Sequence, residues 1–347
     1  MHMADALISP AVGGTLWVMS AGLVTLCSRK IRKSFDSSLV PLMGVLGAFV
    51  FAAQMINFTI PGTGSSGHLG GAMLLSVLLG PYAAFLTIAS VLVVQALFFA
   101  DGGLLALGCN IFNLGFFPCF VAYPLVYKTI AGANPTRGRL ITGSLLASIV
   151  GLQLGAFGVV LETVASGISA LPFNSFVLLM QPIHLGIGIV EGLVTAAVVS
   201  FVYATRPEIL TQQITPAASW PMKKVVLAFG LCALLTGGVL SWFASTHPDG
   251  LEWSIAGVTG EEELHGPQTG PHAALAGVQE KTALMPDYAL KSASAKEDVP
   301  AKAPKAEVWP AVDAGTSLAG IAGGLMTLLL AGTLGFVLRR RAATVAK

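Results

Sequence analysis

Long apolar segments separated by short polar ones dominate this chain of 347 residues. A helix that crosses a bilayer needs about 20 apolar residues. Segments of about this length run at residues 9–28, 39–60, 82–99, 104–130, 139–165, 176–204, 224–244 and 315–338. A shorter apolar stretch at residues 70–80 ends at Gly80-Pro81. The pattern predicts an all-α integral membrane protein.

The composition agrees with a membrane protein. Hydrophobic residues make up 54% of the chain and charged residues 10%, against about 25% charged residues in typical soluble domains. The 40 glycines fit helices that pack closely in lipid. The cysteines lie in or at the ends of apolar segments without Cys-x-x-Cys spacing, so we interpret them as packing residues and expect neither disulfides nor a thiolate metal site.

Basic residues predict the orientation of the chain. Arg29–Lys33 follow the first apolar segment, and Arg339–Arg341 follow the last. Because cytoplasmic loops are enriched in Lys and Arg, the amino terminus is predicted outside and the carboxyl terminus in the cytoplasm. Nothing before Arg29 is basic, so the first segment does not have the pattern of a secretion signal.

The number of crossings follows from the same rule. Between the basic groups at 29–33 and 128–139 the chain must cross an even number of times, but only three full-length segments lie there. The stretch at 70–80 is therefore predicted to be a short fourth crossing, which lipid tolerates only when protein buries it or it lines a cavity. This gives a seven-crossing helical bundle over residues 1–206.

The rest of the chain is predicted to form an accessory unit. Prolines punctuate a cytoplasmic linker at residues 207–222. Residues 223–347 then contain two crossings around a large extracytoplasmic loop, residues 245–314, which ends in an Ala/Lys/Pro-rich stretch too poor in apolar residues to fold alone. We expect this unit to contribute no metal ligand and to act on loading or assembly.

The amino terminus carries a chelating group. The amine of Met1 and the amide nitrogen of His2 close a five-membered ring on a metal, and the His2 imidazole closes a six-membered ring with the same amide. A fourth donor must come from elsewhere, and His68 is the candidate, because it lies in a Gly/Ser-rich loop just before the short crossing. A planar four-nitrogen site suits Ni(II) or Cu(II), whereas Zn(II) prefers a tetrahedron.

Polar residues near the predicted site are candidates to support these ligands. They are Ser65, Ser66, Gln95, Asp101 and Asn110. Asp101 ends a crossing on the outer side, where its carboxylate can neutralise a cation or orient an imidazole through its second nitrogen. The alternative for Asp101 is a simple helix-end turn.

Polar residues also lie inside one of the later crossings. His184, Gly188, Glu191 and Thr195 share one helical face. Such residues form a second metal site, a proton relay or an interhelical hydrogen-bond network, and we favour the network.

The predicted outer loop carries further candidates. His247, His265 and His272 have no compact chelating spacing, so we expect them in a solvated loop. Asp249 and Glu252 are predicted to form a turn and the start of a helix.

Several catalytic motifs are absent from the sequence. There is no Gly-x-x-x-x-Gly-Lys-[Ser/Thr] loop, so ATP hydrolysis by that route is excluded. Neither His-Glu-x-x-His nor Gly-x-Ser-x-Gly on a strand is present, which argues against a protease or hydrolase.

Two alternatives stay open at this point. A stand-alone divalent-metal channel or permease needs rings of acidic side chains or carbonyls. A membrane metalloenzyme needs an open coordination position for water, which a full planar site lacks.

Together the motifs resemble a known transporter family. Met1-His2, the stretch Gly64–Gly71, the Leu79–Pro81 break and the segment Gln95–Gly103 are similar to the substrate-binding component of energy-coupling-factor nickel/cobalt transporters. Residues 248–252, Pro-Asp-Gly-Leu-Glu, resemble the small accessory subunit of the same systems, here fused to the carboxyl end.

The resemblance implies a non-catalytic uptake component of the bacterial inner membrane. Met1 and His2 would insert into the bundle and complete a planar site with His68, with Ni²⁺ or Co²⁺ as the transported substrate. The implied partners are a transmembrane coupling subunit, cytoplasmic ATPases on separate chains and the lipid bilayer, with no nucleic acid. Relatives often have Ile where this chain has Met3, whose thioether would then lie near the metal.

Overall fold

The computed structural model describes residues 2–33, 39–210, 220–290 and 309–345, and it is mostly helical. The helices are α1 (Pro10–Lys33), α2 (Leu39–Gln54), α3 (Ala72–Leu79), α4 (Pro81–Val94), α5 (Leu107–Ile111), α6 (Lys128–Ala131), α7 (Arg137–Ser166), α8 (Phe173–Thr205), α9 (Met222–Gly238), α10 (Gly250–Thr259), α11 (Gly270–Thr282) and α12 (Ala314–Val345). Stretches of π-helix extend α4 over Gln95–Phe99 and join α5 to α6 over Phe112–Tyr127.

Long apolar helices make this a multi-pass membrane protein. Within the described ranges, 6 helices are long and apolar enough to cross a membrane. They are Pro10–Lys33, Pro81–Phe99, Leu107–Ala131, Arg137–Ser166, Phe173–Thr205 and Ala314–Arg341. A shorter apolar helix, α2, packs among them.

The short apolar stretch before Gly80-Pro81 is a helix of 8 residues, α3, which is about 12 Å long at 1.5 Å per residue. All of its residues are buried, as a half-length helix in a bilayer requires. Glycines bound it on both sides. Gly71 has φ +78°, and a Cβ there would lie 2.5 Å from a methyl of Val50, so no larger residue fits this turn.

The expectation of one continuous span over residues 39–60 is wrong. Helix α2 ends at Gln54, and a small antiparallel hairpin follows, formed by β1 (Phe58–Ile60) and β2 (Ser65–Gly67). The turn between the strands begins at Pro61 and contains Gly62 and Gly64, both with positive φ. The fold is therefore not purely α-helical, and this hairpin leads directly into His68.

The accessory region also differs from the prediction. The segment predicted at 224–244 ends its α-helix at Gly238, and a 3₁₀ turn follows over Leu240–Phe243. Part of the expected loop is folded, since it contains α10 and α11. Residues 291–308, which include most of the Ala/Lys/Pro-rich stretch, lie outside the described residues.

The accessory helices α9 and α12 pack against each other and against α2. Small residues allow the close approach: a Cβ on Gly320 would lie 2.3 Å from the carbonyl oxygen of Gly237. A Cβ on Gly323 would lie 2.0 Å from the Phe51 ring. These glycines let the fused region join the same helical bundle, because backbones approach closely only where side chains are small.

Candidate metal centre

Backbone hydrogen bonds hold the start of the chain inside the protein. The amide of Met3 donates to Asn110 Oδ1 (2.8 Å), while Asn110 Nδ2 and the amide of Gly103 both donate to the Met3 carbonyl (3.2 and 2.9 Å). Met3 is fully buried, and the His2 side chain is 6% exposed. Asn110 therefore supports the site through the backbone next to His2. Met1 lies outside the described residues.

The structure brings the His2 and His68 imidazoles into contact. Their ring centroids are 4.9 Å apart and their planes differ by 9°. His68 is also buried, with 8% exposure. Nitrogen lone pairs lie in the plane of an imidazole, so two stacked rings do not direct them at a common point. Coordination of one ion by both rings therefore requires one ring to rotate.

Asp101 pairs with His2. Its Oδ1 lies 2.9 Å from His2 Nδ1, and its Oδ2 accepts a hydrogen bond of 2.5 Å from the Tyr288 hydroxyl. Burial alone would raise the pKa of Asp101, but the charge and hydrogen bond of His2 and the hydrogen bond from Tyr288 hold this pKa well below its ordinary value. His2 Nε2 is buried without a hydrogen-bond partner among the described residues. Asp101 is thus an ionised carboxylate that orients His2.

His68 is a neutral imidazole in this environment. Burial lowers the pKa of His68 to about 3, because a desolvated imidazolium is unfavourable. Its Nδ1 lies 3.1 Å from the carbonyl oxygen of Leu69, which favours the tautomer with the lone pair on Nε2. A neutral imidazole is the form that binds metals, so His68 needs no deprotonation step near neutral pH.

A carboxylate from α8 holds the loop that follows His68. Glu191 accepts hydrogen bonds from the amides of Gly70 (2.8 Å) and Gly71 (3.1 Å). Gln54 Nε2 donates to the Gly70 carbonyl (2.9 Å), and Gln95 Nε2 donates to Gln54 Oε1 (2.9 Å). Glu191 and Gln95 therefore belong to a hydrogen-bond network around the loop. For Glu191, such a network is the alternative that we favoured from the sequence.

The accessory region pairs with the strand that precedes His68. Ser66 donates through its amide to the Pro248 carbonyl (2.8 Å) and through its hydroxyl to the His247 carbonyl (2.7 Å). The indole of Trp253 donates to the Thr63 carbonyl (3.0 Å). Ser65 is fully buried, and its hydroxyl donates to the Ser66 carbonyl (3.1 Å). Both serines shape the strand, and neither directs its hydroxyl to an imidazole.

The Pro-Asp-Gly-Leu-Glu segment starts helix α10, as predicted. Asp249 accepts from the amides of Leu251 (2.7 Å) and Glu252 (2.9 Å), and Glu252 Oε2 accepts from the Asp249 amide (2.8 Å). This reciprocal arrangement is a capping box. A Cβ on Gly250 would lie 2.6 Å from Ile183, so only glycine allows this close approach to α8.

His184 is fully buried beside the same segment. Its Nδ1 lies 2.7 Å from the Met180 carbonyl oxygen, and its Nε2 has no hydrogen-bond partner among the described residues. With His68 and Asp249 it lines a small cavity of about 10 Å³, which is at the lower limit for holding a single water molecule. Glu191 is engaged with the glycine loop, so the shared helical face of these residues does not form a metal site with His184.

The three histidines of the outer loop have different environments. His247 and His265 are exposed, as expected. The expectation is wrong for His272, which is 6% exposed and has its Nε2 2.9 Å from the carbonyl oxygen of Ile8. The cause is long-range packing of α11 against the amino-terminal segment. The sulfur of Met3 lies 4.0 Å from Asn113 Nδ2 as a weak acceptor.

A cavity of about 420 Å³ opens beside His2. Carboxylates from both regions of the chain line it: Asp5, Asp101, Asp249, Glu252, Glu262, Glu263 and Asp287. A cleft lined by charges of one sign concentrates counter-ions. The approach to His2 thus attracts cations.

Comparison with known families finds a match in each of two parts of the chain. The profile of the cobalt uptake substrate-specific transmembrane region, CbiM, matches residues 2–209. The chain belongs to the CbiM family. The PDGLE domain profile matches residues 223–340, so the protein is a CbiM-type nickel/cobalt transporter component with a fused PDGLE region.

Relatives with the same fusion span this chain. A protein of Archaeoglobus fulgidus, predicted to be the fused nickel transport protein NikMN, is 32% identical over 99% of this chain and 100% of the relative. The fused nickel transport protein NikMN of Rhodobacter capsulatus is 31% identical over 75% of this chain and 78% of that protein. A crystal structure of a truncated transition metal transporter is similar at a TM-score of 0.52, with 31% identity over 58% of this chain and 98% of that one.

The CbiM and PDGLE regions also meet through Tyr288 and Gln279, two residues that the sequence did not single out. Tyr288 touches Asp101, and Gln279 donates to the carbonyls of Ala96 (2.9 Å) and Gly102 (2.7 Å). These residues carry no recognisable motif. The one available signal was that residues 283–288 of the predicted extracytoplasmic loop include apolar and aromatic side chains, which are able to pack.

We expect Glu191→Gln to destabilise the His68 loop. A carboxamide has one acceptor oxygen, so one of the two glycine amides would face an NH₂ group instead of an acceptor. An unsatisfied buried donor costs about 1–3 kcal/mol. Thermal unfolding in detergent should detect the loss, with exposed Glu261→Gln as the control. Equal stability of the two variants would contradict this role of Glu191.

Proposed function

We propose that this protein captures one Ni²⁺ or Co²⁺ ion on the outer face of the membrane. ATPases on separate cytoplasmic chains then drive its inward release through a transmembrane coupling subunit. The observation that carries the proposal is the contact between the buried imidazoles of His2 and His68 beside the chain terminus. Nickel and cobalt transport by relatives supports the choice of ion. The chain itself acts as a non-catalytic component.

The proposed ligands are the Met1 amine, the His2 amide nitrogen, the His2 imidazole and the His68 imidazole. A six-membered chelate ring with the His2 amide requires Nδ1 of the same residue, and this atom pairs with Asp101. Loading therefore includes a rotation of the His2 ring about its Cβ–Cγ bond, out of its stacked orientation against His68. Nδ1 then binds the ion, and Nε2–H donates to Asp101, in the way that carboxylates orient metal-bound imidazoles.

The proposed topology has seven crossings in residues 1–206, a cytoplasmic linker at 207–222 and two crossings in residues 223–347. Support comes from α1, whose 24 residues span about 36 Å between the segment carrying His2 and the basic residues at its other end. In this arrangement the amino terminus and residues 245–314 are extracytoplasmic. The carboxyl terminus lies in the cytoplasm, and the membrane is a bacterial inner membrane.

The acidic cavity beside His2 supports a cation as the substrate. Its carboxylates raise the local concentration of divalent ions, and the ion then exchanges weak, solvated contacts for nitrogen ligands. A site with nitrogen donors in one plane favours Ni(II) over ions that require a tetrahedron. The carboxylates of the cavity therefore attract the divalent ion first, and the planar nitrogen ligands then select Ni(II).

Blocking the amino terminus should abolish high-affinity nickel binding. One residue added before Met1, or acetylation of the amine, removes a ligand and displaces both chelate rings. Isothermal titration of the purified protein would measure the affinity. The same extension placed after Lys347 serves as the control, and an unchanged affinity with an amino-terminal extension would refute the proposed ligand set.

We expect His68→Ala to weaken nickel binding more than any other single histidine substitution, because no group on the terminus replaces the fourth ligand. Loss of a group that only supports a ligand costs about 10–100-fold in metal affinity, so His68→Ala should exceed this range. His184→Ala should affect stability or transport more than binding. Equilibrium dialysis would compare the nickel affinities of these variants, with exposed His247→Ala as the control. A larger loss of affinity in His184→Ala than in His68→Ala would contradict the assignment of His68 as the fourth ligand.

The nickel-loaded protein should have the spectrum of a planar site. Low-spin planar Ni(II) is diamagnetic with a visible d–d band, whereas six-coordinate Ni(II) is paramagnetic and pale. Absorption spectroscopy and magnetic susceptibility of the loaded protein distinguish the two. A paramagnetic result would show that Met1, His2 and His68 are not the complete set of ligands.

A further inference from the structure

Hydrogen bonds from the PDGLE region hold the turn that carries Asp101. The amides of Leu284 and Met285 both donate to the Phe98 carbonyl (2.9 and 3.1 Å). From the preceding helix, the Gln279 carboxamide donates to carbonyls on both sides of Asp101, at Ala96 and Gly102. Four hydrogen bonds from this region therefore fix the backbone of a turn that belongs to the CbiM region.

Tyr288 also contacts the side chain of Asp101. Its hydroxyl donates to Asp101 Oδ2 (2.5 Å), and Gln95 Nε2 donates to the same hydroxyl (3.3 Å). The ring stacks on Phe99, with centroids 5.1 Å apart and planes 21° apart. Burial and the neighbouring Asp101 carboxylate raise the pKa of Tyr288 well above its ordinary value, so the hydroxyl remains a donor.

The backbone around Tyr288 adopts an unfavourable conformation. Asp287 and Tyr288 have φ of +50° and +58°, in the left-handed region that residues with a Cβ rarely adopt. Two such residues in sequence cost free energy that surrounding contacts must offset. The hydrogen bond of the Tyr288 hydroxyl to Asp101 and the stacking of its ring on Phe99 are contacts that offset this cost.

The two oxygens of Asp101 have separate partners. Oδ1 pairs with His2 Nδ1, and Oδ2 accepts from Tyr288. A carboxylate held at both oxygens cannot rotate about its χ2 bond without losing one partner. The orientation of the His2 ring therefore depends on the Tyr288 hydroxyl, although the two residues do not form a hydrogen bond with each other.

We propose that Tyr288 is a positioning residue of the metal site and holds His2 through Asp101. The fused PDGLE region thereby sets the affinity and the release rate of the ion, without supplying a ligand. When Tyr288 is docked, Asp101 is ready to accept from the metal-bound imidazole. When Tyr288 withdraws, the carboxylate is free to rotate and the ion dissociates faster. This inference rests on the proposed function, since it concerns the same site.

Removal of the Tyr288 hydroxyl tests the proposal in the purified full-length protein. Tyr288→Phe keeps the ring that stacks on Phe99, and should weaken nickel affinity about 10-fold with a matching rise in the dissociation rate. Asp101→Asn should weaken binding at least as much. The matched control is Tyr203→Phe, which also loses a hydroxyl hydrogen bond, to the Pro135 carbonyl (3.1 Å), but away from the site.

The double variant separates positioning from a purely structural role. If Tyr288 acts through Asp101, Tyr288→Phe in the Asp101→Asn background should change affinity by less than about 2-fold, because coupled residues are not additive. The inference would be overturned if the affinity losses of the two substitutions were additive, or if Tyr288→Phe left the nickel affinity unchanged. In either case a loss of binding in His68→Ala would leave the proposed function standing. Absence of nickel binding by the unmodified protein would instead refute the proposed function, and this inference with it.

Discussion

The candidate metal centre depends on the hydrogen bonds that anchor the backbone of Met3. A chain terminus normally frays, because ordering each residue costs about 1–2 kcal/mol of conformational entropy. Here Asn110 bonds both the amide and the carbonyl of Met3, and Gly103 adds a third bond. In a low-dielectric interior such bonds are strong, and a buried backbone group without a partner is costly. A terminus held in this way can supply ligands at a defined place.

The His68 side of the candidate metal centre is held in place by different elements. His68 lies between a small β-hairpin, whose turn contains two glycines with positive φ, and a short buried helix that is bounded by two more. The loop that carries His68 is irregular and mostly buried, so its backbone groups need partners from protein. Glu191 accepts from the amides of Gly70 and Gly71, and Gln54 donates to the Gly70 carbonyl. The ionisable residue inside helix α8 thus has a structural explanation, since it completes the hydrogen bonds of the loop that carries His68.

The fused PDGLE region contacts both the His68 side and the His2 side of the candidate metal centre. Its capping-box segment pairs with strand β2 before His68, and its 279–288 segment binds the turn of Asp101 beside His2. Covalent fusion keeps the partners of these contacts at a high effective concentration. Both regions of the chain therefore contact the residues of the candidate site, and Tyr288 and Asp101 are one place where the two regions meet.

The sequence by itself determined the features that depend on local chemistry. Hydrophobic length predicted the long helices, Gly80-Pro81 marked the end of the short one, and the Asp249 to Glu252 spacing predicted a helix start. The chelating potential of Met1-His2 is covalent, so it too is readable without a fold. The family resemblance had the same local basis, in short motifs.

Only the tertiary structure decided which distant groups meet. The Tyr288–Asp101, Glu191–Gly70 and His272–Ile8 pairs are 187, 121 and 264 residues apart in the chain. No periodicity encodes such pairings, because they depend on how whole helices cross. For the same reason the hairpin at Phe58–Gly67 was mistaken for the end of a span: its apolar residues fit either element, and packing against α8 and the PDGLE segment selected the strand.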